Sequence, residues 1–223
     1  MSLLRKATLG LVVLLLSASP VLAKSMRTAH EPGLWDGSSV LSLQLTTGVA
    51  DLATPEALNP GSITAYDHSE WGGQVQFQHL VSNNWGVAFA FGLGTFHETD
   101  KPGTNAAPGT PEFKYSQSSW NLRFGLDRYA HISPGLHLFV GPGIQYWRGH
   151  GKFRTGTTSI ESQDAKRFAL DGRMGAHLRL GDSVGLEGYL GHYWGFANAT
   201  DTGAEVHWQP SGYESAMGLA FQF

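Results

Sequence analysis

The 223-residue sequence contains no cysteine, and charged residues make up only 15% of it. Without cysteine the chain has no disulfide bond, no thiolate metal ligand and no cysteine nucleophile. Its ten histidines form no close pair with metal-ligand spacing on one strand face, so we expect neither a metal site nor a cofactor. The formal net charge of −3 leaves no positive surplus to neutralise phosphates, and we do not expect nucleic acid as a partner.

Long hydrophobic runs are also missing beyond the first 23 residues. No later apolar run reaches the roughly 20 residues that a membrane-spanning helix requires. At the N-terminus, Arg5 and Lys6 precede a short apolar segment at 9–16, which is the pattern of a cleaved signal peptide. If the mature chain enters a membrane, we expect it to do so as a closed barrel. The expected organisation is a signal peptide at 1–23, a short N-terminal extension at 24–36 and a β-barrel at 37–223.

Glycine and aromatic residues, in contrast, are abundant, with 29 Gly, 12 Phe, 7 Trp and 7 Tyr. This balance favours an all-β protein. From about residue 40 onward, apolar residues alternate with small or polar ones in eight successive segments, the period that places neighbouring side chains on opposite faces of a β-strand. In the third segment, for example, Trp85, Phe89 and Phe91 alternate with Gly and Ala. We therefore predict one all-β domain of eight antiparallel strands.

The connections between the predicted strands alternate in length. Short turns built from Asn, Asp, Gly, Pro and Ser are predicted at 82–84, 131–135 and 181–183. Long polar loops are predicted at 51–70, 98–113, 149–166 and 197–212. Short turns at one end and long loops at the other are typical of an up-and-down barrel that spans a bacterial outer membrane. The loop at 98–113, which contains three prolines, is the segment that we expect to contact a partner at the surface.

Alternation alone also fits a soluble ligand-binding barrel, and the size of the side chains decides between the two. The interior of an eight-stranded barrel holds only its own side chains or one small ligand. The apolar rows carry Trp, Phe, Leu, Met and Tyr, which are too large to fill it together, whereas the other rows are rich in Gly, Ala, Ser and Gln. We therefore predict that the apolar rows face hydrocarbon and the polar rows face a narrow lumen.

Aromatic residues near the ends of the apolar rows support this orientation. With the N-terminus in the periplasm, they form two girdles at the boundaries between lipid and water. The predicted girdle residues are Trp71, Tyr146, Phe168, Trp194, Phe196 and Tyr213 at the outer rim, and Trp85 and Phe223 at the inner rim.

In strand number, loop asymmetry and closing segment, the sequence resembles the small eight-stranded outer-membrane barrels of the OmpA transmembrane-domain and OmpX type. In that family a terminal aromatic residue, with apolar residues at alternate positions before it, is read by the outer-membrane insertion machinery. The matching residues are Tyr213, Met217, Leu219, Phe221 and Phe223, and Ser215 is the weak position. The resemblance implies a monomer in the outer membrane with the insertion machinery, outer-membrane lipid and lipopolysaccharide as partners, and no particular activity.

Several charged residues lie on the rows predicted to face the lumen. A charge in a narrow lumen must be paired, because unpaired burial costs on the order of several kcal/mol. We predict a salt-bridged plug, with Arg173 and Glu187 as one pair, in a non-enzymatic barrel whose loops carry recognition. A small pore is the alternative interpretation of the same charges. The predicted charge network comprises Arg123, Asp127, Asp171, Arg173, Arg179, Glu187 and Glu214.

A second alternative is an enzyme that modifies lipid at the outer leaflet. Some barrels of this size act on the acyl chains of lipopolysaccharide, and one such family carries a His-x-Ser pair on a lipid-facing strand. Here His192 lies on an apolar row, with Ser215 on the neighbouring strand, and could act as a base toward it if a third group oriented the ring. However, Trp194 stands where that motif would have Ser. A half-solvated position at the interface, shared with His97, is the simpler interpretation.

Overall fold

The structure is a computed structural model, and it describes seven stretches of the chain. Their bounds are 37–47, 63–82, 84–102, 112–133, 135–156, 158–201 and 204–223. The predicted signal peptide and N-terminal extension therefore lie outside the described residues, and both stay predictions. The described stretches contain no helix with the length and apolar character needed to cross a bilayer.

Nine β-strands account for nearly all of the described residues. They are β1 Ser39–Thr47, β2 Ile63–Ser82, β3 Trp85–Pro102, β4 Phe113–Ser133, β5 Leu136–Thr155, β6 Thr158–Arg179, β7 Val184–Asp201, β8 Ala204–Trp208 and β9 Ser211–Gln222.

The strands form a closed antiparallel ring. Each of β1 to β7 pairs with the next strand in the chain, and β9 pairs with both β7 and β1. The closing pair places Val40 opposite Gln222 and Thr47 opposite Ser215. Because β8 pairs only with β7, above the stretch that β9 occupies, the ring itself has eight strands. The predicted eight-stranded barrel is confirmed.

A proline explains why the last strand is divided into β8 and β9. Gln209 and Pro210 separate the two segments, and a proline nitrogen has no hydrogen to donate to a sheet ladder. The Pro210 carbonyl still accepts a hydrogen bond from the Gly195 nitrogen at 2.8 Å, so contact with β7 is kept across the break.

The prediction of long irregular loops is wrong in large part. The predicted loop at 149–166 is a continuous hairpin, since β5 ends at Thr155 and β6 begins at Thr158, with Gly156 at φ 58° in the turn. Similarly, β2 begins within the predicted loop 51–70, β3 extends to Pro102, and β7 and β8 occupy much of 197–212. Beyond the lipid both strand faces contact water, so the pairing continues while the hydrophobic alternation that signals it disappears.

The two faces of the wall have the predicted polarity. Leu45, Phe168 and Met217 on the outside are 70%, 49% and 71% exposed, whereas Gln76 and Arg173 on the inside are almost fully buried. An exterior of this composition requires a hydrocarbon environment, because large contiguous apolar surfaces are rare on soluble monomers. The barrel is therefore built to span a membrane.

We expect that the variant Gly218→Val does not close the barrel. A Cβ on Gly218 would collide with the Leu43 carbonyl and with the Gln44 Cα, where β9 meets β1, and backbone atoms have little freedom to move away. The folded fraction, measured by heat-modifiable migration in gels, should fall sharply. Gly172→Val is the matched control, because a Cβ there meets no atom within 4 Å. Equal folding of the two variants would contradict the close approach of β1 and β9.

Candidate functional site: the charged lumen

Two buried ion pairs join β4 to β6 across the lumen. Arg123 donates from Nε and Nη2 to Asp171 Oδ1 at 2.9 and 2.7 Å. Arg173 donates from Nη2 to Asp127 Oδ2 at 2.5 Å and from Nε to Oδ1 at 3.2 Å. No side chain of the four is more than 4% exposed. Each strand thus supplies one arginine and one aspartate, and the charges of the two pairs cancel.

Glycines on the intervening strand make room for these pairs. The inward row of β5 contains Gly141 and Gly143 between the charged positions of β4 and β6. A Cβ on Gly143 would meet Arg123 Nη2 at 2.5 Å and Asp171 Oδ2 at 2.7 Å, and a Cβ on Gly141 would meet Asp127 Oδ1 at 2.6 Å. The side chains of both ion pairs can therefore cross β5 only because glycine leaves its inward face without side chains at these positions.

Glutamines from the first two strands hold the remaining carboxylate of this layer. Glu187 Oε1 accepts hydrogen bonds from Gln44 Nε2 at 2.8 Å and from Gln76 Nε2 at 2.6 Å. Its other oxygen lies 3.5 Å from His177 Nδ1. Because Arg173 also donates to the Gln76 side-chain oxygen, this amide connects the carboxylate to the ion pair. Polar side chains from β1, β2, β6 and β7 thus form one layer across the barrel.

Two details of the predicted charge network need correction. Arg173 pairs with Asp127 rather than with Glu187, because its side chain slants across β5 toward β4 instead of reaching the next strand in the hairpin. Arg179 does not join the central network, since it lies at the short turn between β6 and β7 and donates to the Gly181 carbonyl at 2.7 Å.

The last predicted member of the network, Glu214, lies on the outer side of these layers. Both of its carboxylate oxygens accept from Gln145 Nε2 at 2.9 Å. At the end with the short turns, a cluster of apolar and aromatic side chains fills part of the lumen, beside the buried His137 and His177. That cluster consists of Val40, Leu80, Tyr129, Phe139, Tyr189, Ala216 and Ala220.

The predicted girdle residues lie on the outer surface in rows. Tyr146, Phe168 and Phe196 are in register on β5, β6 and β7 and form one line across three strands. The fully exposed members include Trp71 and Tyr213, at 66% and 80%. Trp85 at the opposite rim lies 5.9 Å from the Arg128 guanidinium carbon. Trp194 is exposed, whereas Phe223 is partly buried. A role for these residues at the membrane boundary stays a prediction.

The structure does not assemble the predicted catalytic pair. Ser215 Oγ lies 2.8 Å from Thr47 Oγ1, its hydrogen-bond partner. The His192 ring packs against Trp194 and Tyr213 with centroid distances of 4.3 and 4.6 Å, and its Nδ1 atom has no hydrogen-bond partner among the described residues. Without a bond to the serine or an orienting third group, this pair has no activated nucleophile.

The wall continues beyond the outer girdle as a polar extension. From Tyr146, β5 runs nine more residues to Thr155, which is about 30 Å at the usual rise of a strand. Asp164 accepts from Arg148 Nη2 at 3.0 Å and lies 3.1 Å from His150 Nδ1. These hydrogen bonds, that of Arg148 first, lower the pKa of Asp164 below its ordinary value. The contact is therefore kept at neutral pH and lost only as the pH falls through that lowered pKa.

Two buried charged residues, Glu98 and Arg167, were not predicted to face the lumen, and Arg167 is the more deeply buried. Arg167 was assigned to the edge of a predicted loop, although it lies in β6 with its side chain 1% exposed. The signal was present, because Arg167, Ala169, Asp171 and Arg173 share one parity and hence one face. Extending the inward row by two positions would have included it.

Comparisons with known proteins agree with this fold. No family model and no curated protein matches the sequence. Among solved structures, the outer membrane protein OprG from Pseudomonas aeruginosa is similar with a TM-score of 0.52 at 12% identity, covering 87% of this chain and 99% of that one. Ail, the attachment invasion locus protein of Yersinia pestis, has a TM-score of 0.46 at 13% identity, covering 84% and 99%. The likeness confirms the predicted architecture: the chain has the fold of the small eight-stranded outer-membrane β-barrels.

We expect that Asp127→Asn destabilises the barrel by about 3 to 5 kcal/mol, because it leaves the buried Arg173 without its charged partner. The matched control is Asp164→Asn, which breaks an exposed pair and should change the free energy of unfolding by less than about 1 kcal/mol. Urea unfolding of both variants in lipid vesicles measures the difference. A loss no larger for Asp127→Asn than for Asp164→Asn would show that the buried pair is not a stabilising element.

Proposed function

We propose that this protein is a non-conducting, non-enzymatic barrel of the outer membrane whose extracellular extension contacts anionic groups at the cell surface. The observation that carries the proposal is the plug formed by the two buried ion pairs and the layer around Glu187. The Arg173–Asp127 pair is also joined to the opposite wall, since Arg173 on β6 donates to Gln76 on β2. In an interior as narrow as that of eight strands, such a layer leaves no continuous water path. The barrel then acts as a membrane anchor for the extracellular extension.

The location is supported by the exterior and by the sequence. The exposed apolar belt needs lipid on all sides, and closed barrels with short turns at one end are the form in which β-proteins span the outer membrane. The expected signal peptide at 1–23 would deliver the chain to the periplasm. The alternating apolar residues that end in Phe223 would then be read by the insertion machinery.

The contact surface that we propose is the basic face of the extension on β4, β5 and β6. Two cross-strand pairs on this face bring like charges together, since Arg148 lies opposite Lys166 and Arg154 lies opposite Lys114. Such pairs are destabilising unless an anion lies between or near them. Only part of the charge is neutralised locally, because Asp164 bonds Arg148 and Glu112 bonds Lys114.

The position of this face defines the partner that it fits. Arg148 and Lys166 follow Tyr146 and precede Phe168, so the first basic residues lie directly above the outer girdle. Phosphates and acidic sugars of lipopolysaccharide occupy that level of an outer membrane, and ammonium and guanidinium groups bind such anions through charge-assisted hydrogen bonds. We therefore propose the phosphorylated core of lipopolysaccharide as the partner of the basic face.

Conductance in planar bilayers tests the plug. We expect no steady channels from the unaltered protein, whereas removal of one buried pair in the double variant Arg123→Ala/Asp171→Ala should make conductance events frequent. The control Arg148→Ala/Asp164→Ala removes the same charges from an exposed pair and should stay closed. Steady channels of defined size in the unaltered protein would overturn the proposal in favour of a pore.

Binding of phosphorylated core oligosaccharide to the protein in phosphatidylcholine nanodiscs tests the contact surface. The double variant Arg154→Gln/Lys166→Gln should bind several-fold more weakly, and the affinity of the unaltered protein should fall as salt is added, because exposed charges are screened. The control Arg128→Gln/Arg179→Gln removes two positive charges at the opposite rim and should bind normally. Equal weakening in both variants would mean that net charge, and not this face, attracts the oligosaccharide.

A further inference from the structure

Arg167 is a buried cation without a hydrogen-bond acceptor. Its side chain lies on the inward row of β6, and the residue is 1% exposed. None of its three guanidinium nitrogens has a hydrogen-bond partner among the described residues. A guanidinium stays protonated in proteins, so Arg167 cannot avoid the penalty of burial by losing its charge. This arrangement differs from that of Arg123 and Arg173, each of which has an aspartate.

The Arg167 guanidinium lies over aromatic rings, and its nitrogens have no hydrogen-bond acceptor among the described residues. The Arg167 Cζ atom lies 3.9 Å from the centroid of the Tyr193 ring and 5.6 Å from that of the Trp147 ring. Contacts of this type stabilise the cation through its flat faces. The N–H donors, however, lie in the plane of the group and point away from a ring stacked on it. They remain available for an acceptor that approaches the edge.

A second donor in the same place also has no partner. Trp147 is fully buried, and its indole Nε1 has no acceptor among the described residues. The buried carboxylates on the same side of the barrel bond other groups: Asp171 Oδ1 accepts from Arg123, and both oxygens of Glu214 accept from Gln145. Asp171 Oδ2 has no partner among the described residues, and it bonds neither Arg167 nor Trp147. The Arg167 guanidinium and the Trp147 indole N–H thus lie next to each other, and both groups can only donate hydrogen bonds. An anion is the ligand that such a set can satisfy.

Two glycines leave room for the side chains of Trp147 and Arg167. A Cβ on Gly149 would collide with the Trp147 ring, and a Cβ on Gly195 would lie 3.1 Å from Arg167 Cγ. Glycine at both positions therefore permits the indole and the guanidinium to share this level of the lumen. The level lies on the extracellular side of the plug, and the exposed Arg148 and Lys166 are the chain neighbours of Trp147 and Arg167. Their positive potential favours the approach of anions from that side.

We propose that Arg167 and Trp147 form a binding site for a small oxyanion, a carboxylate or phosphate group, at the extracellular end of the lumen. The planar fork of the guanidinium matches two oxygens of such a group, and the indole N–H donates to the same oxygens. The site is separate from the basic face on the outside of the extension, and it does not depend on whether that face binds lipopolysaccharide.

The experiment follows the indole N–H signals of the seven tryptophans by nuclear magnetic resonance. The full chain is refolded in octyl glucoside, which carries no phosphate, and inorganic phosphate or acetate is added at constant ionic strength against chloride. The Trp147 signal is identified by its loss in Trp147→Phe. We expect it to shift saturably with phosphate, with acetate or with both, and the stronger of the two distinguishes a phosphate from a carboxylate ligand. No saturable shift with either anion would overturn the proposal.

Two variants determine whether the shift reports Arg167. Arg167→Gln should reduce the affinity at least tenfold, whereas Arg128→Gln, which removes an exposed arginine at the opposite rim, should leave it unchanged. If Arg167→Gln does not give the folded species in gels, Arg167→Lys replaces it, and the expected loss is again several-fold because an ammonium cannot bind two oxygens as the planar fork does. A shift that persists unchanged in the variant at 167 would place the anion elsewhere and overturn the proposal. Since the oligosaccharide assay uses the outer face, either proposal can fail alone.

Discussion

Burial of a charge inside this barrel is costly unless another group compensates it, and that constraint organises the structure. The wall has hydrocarbon on one side and a lumen only a few side chains wide on the other. A charge that enters such a space must bring its counter-charge with it. On each of β4 and β6 one arginine and one aspartate pair with their counterparts on the other strand, so that each of these four charges has a counter-charge. The glycines of β5 follow from it, because a side chain there would occupy the path between the partners.

The same constraint separates the interior into layers with different physical roles. Apolar and aromatic side chains fill part of the end with the short turns, ion pairs and glutamines fill the middle, and Arg167 with its two rings lies above them. Donors without an acceptor among the described residues include Arg123 Nη1 in the middle layer and the nitrogens of Arg167 and Trp147 in the outermost one. The proposed anchor depends on the paired middle layer, and the proposed anion site depends on the outermost layer.

Strand number and the facing of the apolar rows could be predicted from the sequence, because hydrocarbon on one side and a narrow lumen on the other impose a strict alternation. The extracellular ends could not, since Lys152 and Arg154 stand outside the lipid, where either face of a strand tolerates charge. The pairing of Arg173 with Asp127 could also not be predicted from the sequence. Which residues share a level depends on the tilt of the strands, and a long side chain can cross a neighbouring strand that carries only glycine.

The seam between β1 and β9 has a consequence for how the molecule forms. Its hydrogen bonds join Ser39 to Phe223, and few contacts in a protein span so large a fraction of the chain. Formation of such a distant pairing is slow, because the loss of chain entropy precedes the gain from contacts. Until this pairing forms, β1 and β9 expose both an unpaired strand edge and an apolar surface. How long these surfaces stay exposed is therefore set by the time needed to close the ring and not by the stability of the closed state.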